Sequence, residues 1–254
     1  MKIAALIAMC AAAGLGVGAA QAQERTLTIG TEGAYPPFNV VDNTGEVTGF
    51  DIDFGNALCE QLNATCEWVT MDFAGLIPAL QNGRFDMVIA SHSITADRLE
   101  VVDMVKYYSN SASFVMLTDS VTEDTSPDGL AGKTLGAQSG TTHASFLETT
   151  YTEAEFRLYP TQVEAYADLV AGRVDGVMGD TTALYAWANS EEGQQCCVLA
   201  GEPIVNEALG DGVGIIVTKG NEDLSAELTT AIDALRADGT YDRINADYFP
   251  FSIW

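Results

Sequence analysis

The sequence predicts an α/β protein built from two lobes of similar construction. Short β-rich runs alternate with amphipathic helical stretches, and the alternation begins again at residue 134. Such alternation is typical of sheets with helices packed on their faces. The segments "LQNGRFDMVIAS" and "LVAGRVDGVMGD" also share the order of helix end, glycine and strand. This likeness suggests one such unit in each lobe.

The elements of the first series follow from local periodicity. Ile52, Phe54, Leu58 and Leu62 recur near helical spacing, and Gly83 is placed to end a second helix. We predict strands at 26–30, 66–71 and 86–91, and helices at 51–63 and 76–85. Between the first strand and the first helix, "AYPPFNV" makes a poor strand, because proline fixes φ and lacks an amide donor.

The second series repeats this alternation of strands and helices and then adds further elements. A polar stretch at 118–133, rich in Asp, Ser and Thr, is predicted to be a surface loop within the second lobe. We predict strands at 134–140, 174–180 and 212–220, and helices beginning near 141 and at 162–173, 181–189 and 222–240, with a last short helix after them.

The first 22 residues have the features of a secretory signal peptide. Lys2 precedes an Ala-rich apolar segment, which ends in the small-x-small sequence before a cleavage point after Ala22. Cys10 follows Met9, where a lipoprotein signal has a small residue, so no lipid anchor is expected. No second apolar run of about 18 residues follows, and we expect a soluble mature chain in the periplasm.

The charge of the chain excludes one class of partner. The formal net charge is −25, and loss of Lys2 would make it one unit more negative. Nucleic acid is a polyanion and binds basic surfaces, so we expect no nucleic-acid partner. The negative charge indicates either a well-solvated surface or long-range attraction of a cationic ligand.

Four cysteines lie beyond the predicted cleavage point. In an exported chain these are disulfide candidates before they are metal ligands, and the sequence has only two histidines to complete a metal site. Cys59 and Cys66 are separated by a short loop, so a local bridge is plausible. For Cys196 and Cys197, the sequence leaves a vicinal disulfide and two free thiols as alternatives. We expect no metal and no cofactor.

Five segments occurring in order resemble one protein family. They are "IGTEGAYPPFN", "GFDIDFGNALCEQL", "FAGLIPALQNGRFDMVIASHSITADR", "AGRVDGVMGD" and "ALRADGTYDRINADYF". Together they resemble the polar-amino-acid branch of the extracellular solute-binding proteins, family 3, which deliver ligands to ABC importers. The likeness runs from about residue 26 to residue 249.

The resemblance implies a type II periplasmic-binding-protein fold, with two crossover strands and the ligand in the cleft between the lobes. It implies lobe 1 at 23–110, lobe 2 at 111–209 and a return to lobe 1 at 210–254. The partners it implies are an amino acid and the permease subunits at the inner membrane, with the chain as a monomer. It also implies the Cys59–Cys66 bridge. Ligands of open α/β sheets do lie beyond the carboxyl ends of strands, at helix N-termini.

The resemblance further implies the residues of the binding site. Tyr35 and Phe73 would supply two aromatic faces, Arg98 would bind the ligand α-carboxylate, and Asp180 would pair with the α-ammonium. Groups around Ser91 and Ser93 would assist Arg98, and Thr142, with Thr141 beside it, would close on the same carboxylate. The predicted ligand-binding set is Glu32, Tyr35, Phe73, Ala90, Ser91, Ser93, Arg98, Gln138, Thr141, Thr142, His143 and Asp180.

Three positions depart from the family pattern. His92 stands where Met or Leu is usual, and strand alternation favours a packed side chain over a ligand contact. His143 occupies a position often filled by Gln near the ligand, so contact and no contact remain equal alternatives. Ala74 replaces a frequent aspartate beside Phe73 and removes one polar contact.

The leading function is capture of a cationic amino acid, with arginine, ornithine and lysine, or a derivative, ahead of the others. The basis is Glu32, because in basic-amino-acid members an acid at this position faces the distal group of the ligand. Neutral polar amino acids and opines stay open as ligands. The alternative function is a periplasmic prephenate or arogenate dehydratase on the same fold, in which Glu32 would be the acid.

Overall fold

The computed structural model describes residues 25–254. The predicted signal peptide at 1–22 lies outside the described residues. The strands, in chain order, are β1 (Arg25–Thr31), β2 (Ala34–Tyr35), β3 (Asn39–Val41), β4 (Val47–Thr48), β5 (Ala64–Thr70), β6 (Met87–Val88), β7 (Val102–Tyr108), β8 (Ala112–Leu117), β9 (Thr134–Gln138), β10 (Glu155–Tyr159), β11 (Gly176–Asp180), β12 (Cys197–Ile204) and β13 (Val213–Thr218). The α-helices are α1 (Phe50–Gln61), α2 (Phe73–Gln81), α3 (Ala96–Val101), α4 (Thr142–Thr150), α5 (Gln162–Val170), α6 (Thr181–Ala188), α7 (Glu222–Ala237) and α8 (Thr240–Tyr248).

The first lobe is built on a five-stranded sheet in the order β5-β1-β6-β13-β7. Strand β1 pairs in parallel with β5 and β6, and β13 runs antiparallel to β6 and β7. Alternating side chains of β13 bury opposite faces: Ile215 and Val217 pack with α1, α7 and α8, whereas Ile216 packs with α2. This period of two places an apolar layer on each side of the sheet.

The second lobe repeats the plan with a sheet in the order β10-β9-β11-β8-β12. Strand β9 is parallel to β10 and β11, and β8 is antiparallel to β11 and β12. Met178 faces the layer that contains α4, and its neighbour Val177 faces the layer that contains α5 and α6. The chain crosses between the sheets after β7 and returns after β12.

Several elements differ from the sequence prediction. The stretch after β1 forms a short antiparallel sheet of β2, β3 and β4, in which Tyr35 pairs with Asn39 around the two prolines. The predicted strand at 86–91 is limited to β6, because the backbone turns into an irregular segment at Ala90. Strand β10 was not predicted, because "EFRLY" lies at the sheet edge and leaves Glu155, Arg157 and Leu158 exposed.

Both cysteine pairs are bonded. Cys59 near the end of α1 is joined to Cys66 in β5, so the predicted bridge is present. Cys196 and Cys197 form a vicinal disulfide, which decides between the two alternatives that the sequence left open.

Candidate ligand-binding site

A cleft lies between the lobes, where the strands β1, β9 and β11 end. All twelve residues predicted from the sequence line it, together with Gln162, which was not predicted. The structure therefore brings the predicted set together, while its role in ligand binding stays a prediction. Gln162 is the first residue of α5, and the signal for it was the capping-box sequence Thr161-x-x-Glu164, which marks a helix start at the cleft.

Two aromatic rings contribute apolar walls. Tyr35 and Phe73 are both more than 90% buried. The Phe73 ring stacks on His92, with ring centroids 4.1 Å apart, and the guanidinium carbon of Arg98 lies 5.9 Å from its centroid. His92 is buried and does not line the cleft, so the predicted packed side chain is present, although residue 92 lies beyond the end of the strand. Burial, and then the charge of Arg98, lower the pKa of His92 well below its usual value, so His92 packs as a neutral side chain.

Arg98 supplies positive charge to one side of the cleft. Thr95 caps α3, accepting a hydrogen bond from the Arg98 amide, and this fixes the backbone from which the guanidinium extends. The guanidinium donates to the Ser93 carbonyl at 2.8 Å and to the Gly140 carbonyl at 3.5 Å. Burial lowers the pKa of Arg98 to about 10, opposed by the charge of Asp180. Arg98 is therefore protonated at neutral pH and suited to a carboxylate.

The second lobe presents the start of α4 to the same region. Thr141 caps this helix by accepting from the Ala144 amide at 3.1 Å, and its own hydroxyl donates to the Gln138 carbonyl. The Thr142 hydroxyl lies 3.3 Å from that of Ser93, across the cleft. A helix start carries partial positive charge, so it adds to the attraction that Arg98 exerts on an anion.

Asp180 supplies negative charge near these groups. It ends β11 and is 4% exposed. One carboxylate oxygen accepts from the Tyr35 hydroxyl at 2.7 Å, and the other lies 3.3 Å from Nε2 of His143. Asp180 is thus held by neighbours from both lobes. His143 itself is buried and lines the cleft with the other predicted residues.

Glu32 is a second buried acid in the cleft. It follows β1, is 8% exposed, and accepts a 2.5 Å hydrogen bond from the Gln138 side-chain amide. Burial raises the pKa of Glu32 to about 7; the hydrogen bond from Gln138 opposes this rise, and the charge of Asp72 adds to it. A cation placed beside Glu32 would favour the ionised form and so lower this pKa.

The described residues 25–254 contain no group of three or more His, Cys, Asp or Glu side chains arranged to hold a metal ion. In the same part of the chain, no helix combines the length and the apolar character needed to cross a bilayer. The polar groups that line the cleft are one guanidinium, two carboxylates, the His143 imidazole, and hydroxyl and amide groups.

This fold and this cleft define a two-lobed α/β protein with charged side chains of both signs lining the space between its lobes. The family model described as "Bacterial extracellular solute-binding proteins, family 3" matches residues 27–251, and the chain belongs to this family. The resemblance recognised in the sequence and the predicted two-lobed α/β fold are both confirmed.

Three similar proteins illustrate the range of the family. The L-arginine-binding protein of Pseudomonas aeruginosa is 39% identical over 237 residues, covering 92% of this chain and 91% of that protein. An ancestral arginine-binding protein bound to arginine superposes with a TM-score of 0.81 at 32% identity, covering 88% of this chain and 98% of the other. The ancestral amino acid-binding protein that is a precursor of cyclohexadienyl dehydratase superposes with a TM-score of 0.80 at 28% identity. The match covers 88% of this chain and 95% of that protein.

Proposed function

We propose that this chain is the periplasmic substrate-binding protein of an ABC importer and that it captures a cationic amino acid, with L-arginine first, then ornithine and lysine. The observation that carries the proposal is the charge set of the cleft. Arg98, Asp180 and Glu32 line the same cleft. A cationic amino acid has the complementary set of one carboxylate, one α-ammonium and one distal cation. Buried charges need partners of opposite sign, so this match favours a cationic ligand.

In the proposed complex, each charged group of the ligand has its own partner. Arg98 and the start of α4 bind the α-carboxylate, and Asp180 binds the α-ammonium. The distal guanidinium or ammonium lies between Tyr35 and Phe73 and reaches Glu32, whose position is fixed by Gln138. The arginine-binding relatives support this proposal, and so does the burial of both carboxylates.

Delivery to permease subunits at the inner membrane, a periplasmic location and a monomeric state are part of the same proposal. They rest on the family to which the chain belongs and, for the location, on the signal-like sequence of residues 1–22. The four cysteines within residues 25–254 form two bonded pairs, which is in keeping with an oxidising compartment.

One observation favours a second candidate function. A buried carboxyl group with a pKa of about 7, such as Glu32, has the property required of a general acid. A structural relative is a precursor of a dehydratase. Incubation of the protein with prephenate or arogenate tests this candidate, and on the proposed binding function both compounds are recovered unchanged.

The test of the proposed function is a binding screen on protein freed of carried ligand by unfolding in guanidinium chloride and refolding. Thermal shift with the common amino acids and ornithine identifies the ligand class, and calorimetry measures the affinity. We expect arginine, ornithine and lysine to raise the melting temperature and glutamate to leave it unchanged. Preference for glutamate, or no stabilisation by any amino acid, contradicts the proposal.

A further inference from the structure

The vicinal disulfide Cys196–Cys197 lies outside the cleft and has no part in the proposed binding scheme. It joins neighbouring residues at the start of β12, the strand at one edge of the second sheet. A disulfide stabilises a fold mainly by closing a loop of the unfolded chain, and this bond encloses no residue between its ends. Stabilisation therefore gives little reason for this bond, and its surroundings indicate another role.

The two cysteines differ in their access to solvent. Cys197 is 5% exposed and packs in the apolar layer that contains Leu184 and Trp187. Cys196 is half-buried and lines a groove on the surface of the second lobe. The other residues that line this groove are Val170, Glu191, Glu192 and Gln195. A thiol in solution therefore reaches the pair through Cys196.

Hydrogen bonds that involve no sulfur hold the backbone around the pair. The Cys196 carbonyl accepts from the Thr118 amide at 2.7 Å and from the Thr118 hydroxyl at 3.0 Å. The Cys196 amide donates to the Gly193 carbonyl at 3.1 Å, and Cys197 pairs with Leu117 in the sheet. Because none of these contacts depends on the sulfur–sulfur bond, the pair can open while β12 stays in the sheet.

The Cys59–Cys66 bridge has the opposite character. It joins α1 to β5, and Cys59 is 2% exposed in the core of the first lobe. Opening this bridge removes a link between two elements of that core. Exposed disulfides exchange with thiols more readily than buried structural ones. The two disulfides should therefore behave differently toward an external thiol.

We infer that Cys196–Cys197 is a thiol–disulfide exchange site that an external dithiol opens in the folded protein. The inference goes beyond the proposed function and does not depend on the ligand of the cleft.

The exchange takes two steps. A thiolate of the dithiol attacks the Cys196 sulfur and forms a mixed disulfide, and Cys197 leaves as a thiolate and takes a proton. The second thiol of the dithiol loses its proton and attacks the sulfur that its own molecule contributed to the mixed disulfide. Cys196 then leaves as a thiolate and takes a proton. Two electrons and two protons thus pass to the cysteine pair, and the dithiol ends as a disulfide.

The charge of the groove selects among dithiols. Glu191 and Glu192 are exposed and line the groove with Cys196, in a chain whose formal net charge is −25. Exposed carboxylates repel an approaching anion at close range, and salt weakens this repulsion. The partner of the site is therefore a dithiol with no negative group near its sulfurs.

Reduction of the native protein by dihydrolipoamide, an uncharged dithiol, tests the exchange. Free thiols are blocked with iodoacetamide and located by peptide mass mapping. Cys196 and Cys197 should become alkylated about 10-fold faster than Cys59 and Cys66, or more. Their rate should not change in urea below the unfolding transition. Equal rates for the two pairs, or a rate that rises with each addition of urea, would mean that the pair opens only on unfolding, and would overturn the inference.

Dihydrolipoate, which has a carboxylate in place of the amide, tests the selection by charge. Each rate is divided by that of the same reagent with a small uncharged disulfide. Dihydrolipoate should then reduce the pair about 2- to 5-fold more slowly than dihydrolipoamide, and about 0.5 M sodium chloride should remove most of the difference. This measurement uses the wild-type protein and requires no variant.

A pair of variants locates the charge responsible. Glu191→Gln with Glu192→Gln should bring the two dithiols to nearly equal rates. Glu222→Gln with Asp223→Asn is the matched control, because it removes the same charge from adjacent exposed residues of α7 in the first lobe and should leave the difference in place. Equal rates for the two dithiols in low salt, or equal effects of the two double variants, would contradict entry through the groove at Cys196.

Discussion

The Tyr35 hydroxyl donates a 2.7 Å hydrogen bond to Asp180, a residue 145 positions away in the other lobe. The bond joins the hairpin after β1 to the end of β11, so one wall of the cleft contacts the acid that we propose binds the α-ammonium. The prolines at 36 and 37 restrict the backbone of this hairpin, which lowers the entropy lost when Tyr35 contacts a ligand.

Replacement of Arg98 tests the carboxylate site. Arg98→Ala should weaken arginine binding by about 2–5 kcal/mol, because the ligand carboxylate would be enclosed without its charged partner. Calorimetry provides the measurement. Arg173→Ala is the control, since Arg173 is exposed and bonded to Asp168 on the surface of the second lobe. If Arg98→Ala binds arginine as tightly as the wild-type protein does, Arg98 does not bind the ligand carboxylate.

Replacement of Glu32 tests ligand specificity. Glu32→Gln keeps the shape of the side chain and removes its charge, so affinity for arginine should fall far more than affinity for a neutral amino acid such as glutamine. Competition calorimetry with both ligands measures the difference. Equal losses for the two ligands would mean that Glu32 does not set specificity.

The raised pKa of Glu32 predicts that binding releases a proton. In the free protein its pKa is about 7, so the carboxyl group is about half protonated at neutral pH. A cationic ligand pairs with the ionised form and lowers this pKa, so affinity for arginine should increase as the pH rises from about 6 to 8.

Calorimetry in two buffers with different ionisation enthalpies measures the number of protons released. Glu32→Gln should remove most of the release and flatten the pH dependence over this range. An unchanged pH dependence in the variant would show that a group other than Glu32 is responsible.

The Cys59–Cys66 disulfide should stabilise the first lobe. It closes a loop with a sequence separation of 7, and its removal by Cys59→Ser with Cys66→Ser should lower the free energy of unfolding by roughly 2–3 kcal/mol. Urea unfolding measures this change. Replacement of both Cys196 and Cys197 is the matched control, and the loss should be smaller because neighbouring residues enclose almost no chain. If both thiols of the first pair react with an alkylating agent in the native protein, the bridge is absent in solution.

Local periodicity was enough to place most helices and several strands. Two helices end near Gly83 and Gly172, and Thr95 caps a third. Each of these features depends on residues only a few positions apart, so it can be predicted from the sequence. Short strands were harder to predict from the sequence. Strand β10 at the sheet edge is largely exposed and carries little apolar pattern, and the hairpin after β1 depends on cross-strand pairing around two prolines.

In the sequence, short motifs indicated the family and element periodicity indicated the α/β class, because both are local properties. The resemblance to the family then implied twelve of the thirteen residues that line the cleft. The tertiary structure decided how the polar groups are paired. Asp51 and Ser91 are 40 positions apart, and Glu32 and Gln138 are 106 apart, so no local pattern marks either hydrogen bond. Burial raises the pKa of Glu32 and the hydrogen bond from Gln138 opposes this rise, and both effects exist only once distant segments are packed together.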